Sequence, residues 1–334
     1  MLSVVGLITT WYICSLSLSV FNKWLFSAER GLPVYPVSMT MFHFIVQGGL
    51  SYGITHYVVP KYRPARWPTA HNYARDLIPC GAATALDIGL SNLSLKLISL
   101  TFYTMVKSSV PVFVLLFAFL FGLEKPSLRL AGIMAVICVG VFLMVAGDTA
   151  FHLLGYTQVQ FAAVLSGFRW AVTQRLLKGK EMGVDNPFAT NLVLSPIMAV
   201  CLGLFALYLG EFGQLWRSAW FATTGNTLRL LGIGTAGGIT AFLMVTAEFA
   251  LISMTSIVTL SVAGICKEVV TILVSMMVFG DHLTAMNVVG LFVSLVGIAL
   301  YNLHRVRVAQ KRRLHDALTA DKESESLSNL HSIQ

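Results

Sequence analysis

Long apolar segments, separated by short stretches that are polar or contain Gly and Pro, limit what this chain can fold into. A bilayer core about 30 Å thick requires roughly 20 apolar residues for each helix that crosses it. Only 11% of the residues are charged, whereas a soluble domain carries about a quarter. The sequence therefore predicts an all-α membrane protein with ten transmembrane helices. The predicted spans are residues 2–26, 36–58, 76–96, 100–122, 129–147, 156–177, 188–210, 228–251, 254–279 and 284–303.

The first apolar segment, residues 2–26, also has the hydropathy of a signal peptide. It has no charged n-region, and Phe21-Asn22-Lys23-Trp24 stands where a cleavage site would have small residues. We therefore interpret this segment as the first transmembrane helix.

Lysine and arginine are distributed unequally between the two sides of the predicted bundle. Positive residues in short loops mark the cytosolic side of a membrane protein. If the N-terminus is cytosolic, the loops on that side hold Lys61, Arg63, Arg66, Arg75, Lys125, Arg129, Lys178, Lys180, Arg305, Arg307, Lys311, Arg312 and Arg313. The opposite loops hold only Arg30, Arg217 and Arg229. Both termini are therefore predicted to face the cytosol. The net charge of +8 reflects this asymmetry and not a nucleic-acid surface, since no nucleic-acid-binding motif accompanies it.

A faint internal repeat divides the chain into two halves. Each half has an acidic residue that is followed, one helix later, by a lysine and then by Phe-Gly. These residues are Asp87, Lys107 and Phe121-Gly122 in the first half, and Glu248, Lys267 and Phe279-Gly280 in the second. Because each half holds an odd number of spans, the halves are predicted to have opposite orientations, as in the inverted repeats of alternating-access carriers. The predicted units are two five-helix repeats, residues 1–150 and 151–304, and a basic, then disordered, cytosolic tail at 305–334.

Six ionisable residues fall inside predicted spans: Lys107, Lys267, Arg169, Asp87, Glu248 and Glu268. A lone charge near the bilayer centre costs at least ~3 kcal/mol, so such residues face a polar interior and usually serve a function. We predict that the three cations line a cavity that binds an anion such as a phosphate or diphosphate. The alternative is that the carboxylates neutralise these cations in salt bridges that only hold the bundle together. For Asp87 and Glu248 we favour a role as charge partners or gate residues, although a carboxylate is also a candidate proton carrier.

Residues beside these charges complete the predicted substrate-binding site. Tyr103, Thr104 and Ser108 flank Lys107 in the fourth span, Glu268 follows Lys267 in the ninth, and Asn22 at the end of the first span could reach the cavity. Lys23 is interpreted mainly as a lysine that extends to the membrane interface, and otherwise as a gate or charge-partner residue like Asp87 and Glu248. Pro111 and Gly264 stand close to Lys107 and Lys267, which predicts a bend in both helices at the site.

The five cysteines have no metal-ligand spacing, and we find no nucleophile, metal cluster or acid–base pair at one membrane face. The sequence thus predicts no catalytic residues, no metal site and no cofactor.

Four motifs resemble the nucleotide-sugar and triose-phosphate translocator branch of the drug/metabolite transporter superfamily, over about residues 5–310. They are Phe21-Asn22-Lys23-Trp24, Met39-Thr40-Met41-Phe42-His43, Thr104-Met105-Val106-Lys107-Ser108-Ser109 and Gly264-Ile265-Cys266-Lys267-Glu268-Val269. Within this branch, three further stretches are most similar to the solute carrier 35 subfamily that includes the Golgi GDP-fucose transporter. These are Ala85-Leu86-Asp87-Ile88-Gly89-Leu90-Ser91-Asn92, Phe168-Arg169-Trp170 and Thr173-Gln174.

The resemblance implies ten helices in inverted repeats and residence in Golgi or ER–Golgi intermediate membranes. It implies exchange of a cytosolic nucleotide sugar for a lumenal nucleoside monophosphate, with lysines at the positions of Lys107 and Lys267 in contact with phosphates. Plastid phosphate translocators have a basic residue after the second lysine. Here Glu268 follows, which argues against a free-phosphate or triose-phosphate substrate. The Gly-Ala-Leu-Asn-Lys motif of GDP-mannose carriers is absent, so GDP-fucose rests on similarity to the family alone.

Two other functions stay open at this point. One is a proton-coupled carrier of another organic anion, in which Glu268 or Glu248 would titrate. The other is a membrane enzyme or a non-transporting regulatory protein on a carrier fold. An enzyme would need a catalytic cluster, and a regulator would tolerate loss of the intramembrane lysines, which this chain has retained. The expected partners are the small-molecule substrates and the lipid bilayer, with no nucleic acid, and homodimerisation is left open.

Overall fold

All regular structure in the described part of the chain is helical. The computed structural model describes residues 2–26, 35–64, 67–122, 126–147, 151–178, 186–254 and 257–331. The α-helices are α1 Leu2–Phe26, α2 Pro36–Gly53, α3 Ala70–Asn72, α4 Ile78–Ser94, α5 Leu100–Lys107, α6 Val110–Leu120, α7 Leu128–Ala146, α8 Leu153–Lys178, α9 Pro187–Tyr208, α10 Glu211–Trp216, α11 Thr224–Met254, α12 Ile257–Phe279 and α13 Ala285–His331. A π-helical turn, Ile54–Val58, extends α2, and another, Tyr73–Leu77, precedes α4. Of the residues used to predict orientation, Arg30, Arg66, Lys125 and Lys180 lie outside the described ranges.

Six helical segments of the described chain are long and apolar enough to cross a membrane. They are Val4–Phe26, Leu100–Leu120, Leu128–Ala146, Phe188–Tyr208, Thr224–Glu248 and Ala285–Val308. The predicted all-α membrane protein is therefore confirmed. Each of the ten predicted spans overlaps a helical segment. That all ten cross the bilayer, and that they form an inverted repeat, stay predictions.

The fourth predicted span is interrupted beside Lys107. Helix α5 ends at Lys107 and α6 begins at Val110, with Ser108 and Ser109 between them. Pro111 has no N–H to donate to the carbonyl four residues earlier, which belongs to Lys107. The predicted bend is therefore present here. At Gly264 the helix α12 is not interrupted, and the bend predicted there stays a prediction.

Helix α7 packs closely along α13 through glycines. A Cβ on Gly290 would lie 2.6 Å from the backbone nitrogen of Met144 and 2.7 Å from the carbonyl oxygen of Gly140. A Cβ on Gly140 would overlap the backbone of Ser294. Small residues allow this approach, as they do at other helix contacts in membranes.

Helix α13 does not end where the last predicted span ends. It continues from Ala285 to His331, so most of the tail that the sequence predicted to be disordered is helical. The segment after residue 303 contains neither Gly nor Pro and is rich in Lys, Arg, Ala, Leu and Glu, which are favourable in helices. The polar composition indicated disorder, but helix propensity over this length supports a helix.

Candidate functional site

Asp87 is the centre of a charged cluster inside the helix bundle. It lies on α4, and one of its carboxylate oxygens, Oδ1, accepts a hydrogen bond from Nζ of Lys107 at the end of α5. The other oxygen, Oδ2, lies 3.9 Å from Nε of Arg169 on α8. The side chains are 6%, 16% and 25% exposed for Asp87, Lys107 and Arg169. The structure thus brings together three of the six predicted intramembrane charges.

The local packing explains why these three residues meet. Helix α8 contacts both α4 and α6. A Cβ on Gly167 would lie 2.6 Å from the backbone carbonyl carbon of Phe113, so α8 approaches α6 closely two residues before Arg169. The helix interruption after Lys107 separates α5 from α6, the helix that α8 approaches. Glycine on α8 and proline on α6 therefore place both cations next to the carboxylate on α4.

Arg169 is only partly satisfied. Its Nε is buried and has no hydrogen-bond partner among the described residues, because 3.9 Å to Asp87 Oδ2 is too long for a hydrogen bond. The guanidinium carbon lies 4.7 Å from the centre of the neighbouring Trp170 ring. Arginine presents a planar set of donors that suits carboxylate and phosphate oxygens. The side chain therefore has a donor available for an anion beside Asp87.

Lys267 lies in a different environment from Lys107. Its Nζ is 5.0 Å from the centre of the Trp11 ring on α1. One turn earlier on α12, the carbonyl of Ala263 accepts a hydrogen bond from the hydroxyl of Tyr12. Helix α1 thus positions this part of α12 through an aromatic pair. Among the described residues, no ion pair joins Lys267 to a carboxylate.

The remaining predicted carboxylates are half-buried and do not join the cluster. Glu268 lies next to Lys267 on α12, and Glu248 lies on α11. Neither forms an ion pair within the described part of the chain. Their predicted roles, as a substrate contact for Glu268 and as a charge partner for Glu248, stay predictions.

The hydroxyl groups near Lys107 bond to the backbone. Thr104 is buried and donates to the Leu100 carbonyl at 2.8 Å, and Ser108 donates to the Met105 carbonyl at 2.6 Å. The Ser108 hydroxyl also lies 3.2 Å from that of Ser294 on α13. Tyr103 is half-buried and packs against an apolar cluster of Ile98, Phe102, Val106 and Val159.

Asn22 and Lys23 lie in a separate contact, where α1 meets the end of α4. Lys23 Nζ donates to the carbonyls of Leu95 at 2.8 Å and Ile98 at 2.7 Å. Asn22 donates to Asn92 Oδ1 at 3.3 Å, and Asn92 donates to Thr40 at 2.8 Å. A lysine near the last carbonyls of a helix is favourable for its dipole. This contact joins α1 to the end of α4. The structure does not place Asn22 against the charged cluster.

Trp11 and Trp170, the aromatic partners of the cations, were not predicted as site residues. Trp170 could have been found, because it directly follows Arg169 in the sequence. Trp11 could not, because its contact with Lys267 joins residues 256 positions apart. No group of three or more His, Cys, Asp or Glu side chains in the described residues could hold a metal ion.

Comparison with known proteins places these features in a family context. The model of the Triose-phosphate Transporter family matches residues 2–302. A probable sugar phosphate/phosphate translocator of Arabidopsis thaliana is 41% identical over 304 residues, covering 91% of this chain and 73% of the relative. YMD8 of Saccharomyces cerevisiae, provisionally named a nucleotide-sugar transporter, is 29% identical over 388 residues, covering 94% of this chain and 87% of the relative. A GDP-mannose transporter of A. thaliana is 26% identical over 305 residues, covering 91% and 86%.

A solved protein crystal structure has a similar fold. It aligns with a TM-score of 0.52 at 14% identity and covers 92% of this chain and 98% of that chain. At this identity the similarity concerns the fold alone.

Proposed function

The chain belongs to the Triose-phosphate Transporter family and is a multi-pass membrane transporter, not an enzyme; within that family we propose that it exchanges a nucleotide sugar for a nucleoside monophosphate. The observation that carries this proposal is the pair of cations, Lys107 and Arg169, held beside one carboxylate inside the bundle. A diphosphate group needs several donors to replace its water shell, and this pair supplies them. Lys267 is the third cation of the proposed site.

The identity of the sugar and the compartment are finer parts of the same proposal. The sequence motifs are most similar to the GDP-fucose transporter subfamily, and a relative is named a GDP-mannose transporter. We therefore propose a guanine nucleotide sugar, GDP-fucose, as the substrate and GMP as the counter-substrate. A carrier of this kind serves glycosylation, which supports Golgi or ER–Golgi intermediate membranes, with both termini in the cytosol.

The helix packing supports a bundle of ten helices in two inverted repeats. In this arrangement α1, α2, α4, the α5–α6 pair and α7 correspond to α8, α9, α11, α12 and α13. This correspondence maps the α4–α8 contact onto the α1–α11 contact, and the α4–α9 contact onto the α2–α11 contact. The pairs α2–α9 and α7–α13 map onto themselves. Both α6 and α12 are also followed by a glycine with positive φ, at Gly122 (64°) and Gly280 (69°).

A second candidate function is exchange of a sugar phosphate for phosphate. The observation that favours it is the 41% identity to a probable translocator of that class. Glu268, which replaces the basic residue of plastid phosphate translocators, opposes it. Both functions use the same cations, so substrate measurements must separate them.

Exchange in liposomes tests the proposal directly. The purified protein is reconstituted into vesicles that contain GMP, inorganic phosphate or buffer alone, and uptake of labelled GDP-fucose, UDP-galactose and glucose 6-phosphate is followed. We expect GDP-fucose uptake only into vesicles that contain GMP. Uptake of glucose 6-phosphate into phosphate-loaded vesicles, with no nucleotide-sugar uptake, would establish the second candidate instead. Uptake driven by a pH gradient without internal nucleotide would indicate a proton-coupled carrier of organic anions.

A further inference from the structure

We propose that Asp87 is an internal counter-anion that occupies the phosphate position in the empty carrier and must be displaced when substrate binds. This inference rests on the proposed function, since it assumes that Lys107 and Arg169 receive phosphate oxygens. It assigns to one carboxylate a role in setting the affinity of the carrier for its substrate.

The geometry resembles an anion site that already holds an anion. Asp87 directs one carboxylate oxygen to Lys107 and the other toward Arg169. The two contacts are unequal, because Lys107 forms a hydrogen bond whereas Arg169 Nε stays at 3.9 Å without one. A purely structural ion pair gains most when every donor around it is satisfied. The unused Arg169 donor is what an exchangeable anion with more oxygens could engage.

The exposure of the three side chains points in the same direction. Asp87 is 6% exposed, whereas Lys107 and Arg169 are 16% and 25% exposed. Both cations are therefore more accessible than the carboxylate that they share. An incoming phosphate can meet the cations first and replace Asp87 as their partner. Binding then includes the cost of breaking the Lys107–Asp87 contact.

This competition predicts opposite effects on stability and on affinity. Removing the charge of Asp87 leaves two partly buried cations without their carboxylate, so the empty protein becomes less stable. The same change removes the competitor, so an added anion binds more tightly and restores more stability. A structural ion pair predicts only the first effect.

The experiment measures thermal unfolding and the Kd for inorganic pyrophosphate, the probe, in purified wild-type protein and in Asp87→Asn. We expect a lower Tm for unliganded Asp87→Asn and a Kd lowered by about tenfold or more, the size of one charge-assisted hydrogen bond. Lys107→Gln combined with Asp87→Asn should recover much of the lost Tm but lose the pyrophosphate response. Glu211→Gln is the matched control, because Glu211 is a buried carboxylate that accepts from the Ser38 N–H and the Ser38 hydroxyl away from the cluster. It should change Tm without changing Kd.

An unchanged or higher Kd for Asp87→Asn would overturn the proposal. If Asp87→Asn fails to fold, purification in pyrophosphate should rescue it, since the anion takes the place of the carboxylate. Failure of that rescue would also overturn it. The proposed function is tested separately, because a wild-type protein that binds pyrophosphate but no nucleotide would refute the nucleotide-sugar substrate and leave the role of Asp87 intact.

Discussion

Lys267 contrasts with Lys107 although the two lysines occupy corresponding positions in the predicted repeat. Lys107 is paired with a carboxylate, whereas Lys267 lies over the face of Trp11. A cation–π contact contributes roughly 0.5–2 kcal/mol to stability. Removing one partner of a buried ion pair costs more than this. An ammonium held in this way can exchange its aromatic partner for a phosphate oxygen at low cost. The two lysines can therefore serve one substrate while contributing differently to stability.

The charge of Lys267 is expected to matter for transport more than for folding. Lys267→Gln should lower the initial rate of nucleotide exchange in liposomes by about tenfold or more, since a charge-assisted hydrogen bond to phosphate is lost. Lys267→Arg, which keeps the charge, should retain part of the rate. The Tm of both variants should stay near that of the wild type.

Lys61→Gln is the matched control for this prediction. Lys61 also lies over an aromatic ring, with Nζ 5.2 Å from the centre of Tyr62, but in the exposed connection after α2. It should retain the wild-type rate within about twofold, since its contact is at the surface. A Lys267→Gln protein that exchanges at the wild-type rate would remove Lys267 from the site.

The sequence identified the charged residues and favoured Asp87 as a charge partner, but it did not indicate which groups each cation contacts. Cost arguments for charges in a bilayer single out Asp87, Lys107, Arg169 and Lys267 without any structure. That Asp87 serves two cations, while Lys267 is held by Trp11, depends on distances between helices. Periodicity within one helix carries no information about such distances.

Helices differ in how far local sequence determines their shape. Pro111 has no N–H for the Lys107 carbonyl, and α5 ends at Lys107. Gly264 permits a bend without requiring one, and α12 runs through it unbroken. No Cβ clash restricts Gly264, since the space around it is open. Pro196 lies inside α9, which continues past it, so neither proline nor glycine alone decides whether a helix is interrupted.

The crossing of α7 and α13 is expected to depend on Gly290. In Gly290→Ala the new Cβ would lie 2.6 Å from the Met144 backbone nitrogen, and a backbone atom cannot move aside as a side-chain end can. We expect a loss of about 1–3 kcal/mol, the usual cost of overpacking, measured as a lower Tm and earlier denaturant unfolding in detergent.

Gly132→Ala on α7 is the control for this crossing. A Cβ there would meet no atom within 4 Å, so only helix propensity changes, and alanine is the better helix former. Its Tm should equal or exceed that of the wild type. Equal Tm values for Gly290→Ala and the wild type would mean that α7 and α13 are not packed as closely as described.

At the scale of the whole molecule, two side-chain contacts join helices at the same end of the bundle. Lys23 donates to the Leu95 and Ile98 carbonyls in the turn between α4 and α5, and Asp281 accepts from the Thr101 N–H at the start of α5. Under the predicted topology both contacts lie on the lumenal side. An alternating-access carrier closed at that side would release its substrate only after these contacts break.

The sides of the membrane on which Lys61 and Ala222 lie distinguish a bundle of ten spans from one of six. If all ten predicted spans cross, Lys61 lies on the same side as both termini and Ala222 lies on the opposite side. If only the six most apolar segments cross, the two positions change sides, because α2, α4, α8 and α12 then no longer span. Both residues are exposed, so Lys61→Cys and Ala222→Cys in a protein without its native cysteines can be labelled with a membrane-impermeant maleimide in sealed vesicles. We expect labelling of the two cysteines from opposite faces, with Lys61→Cys protected wherever an N-terminal tag is protected. Protection of Ala222→Cys together with that tag would contradict the ten-helix carrier and the opposed repeats on which alternating access depends.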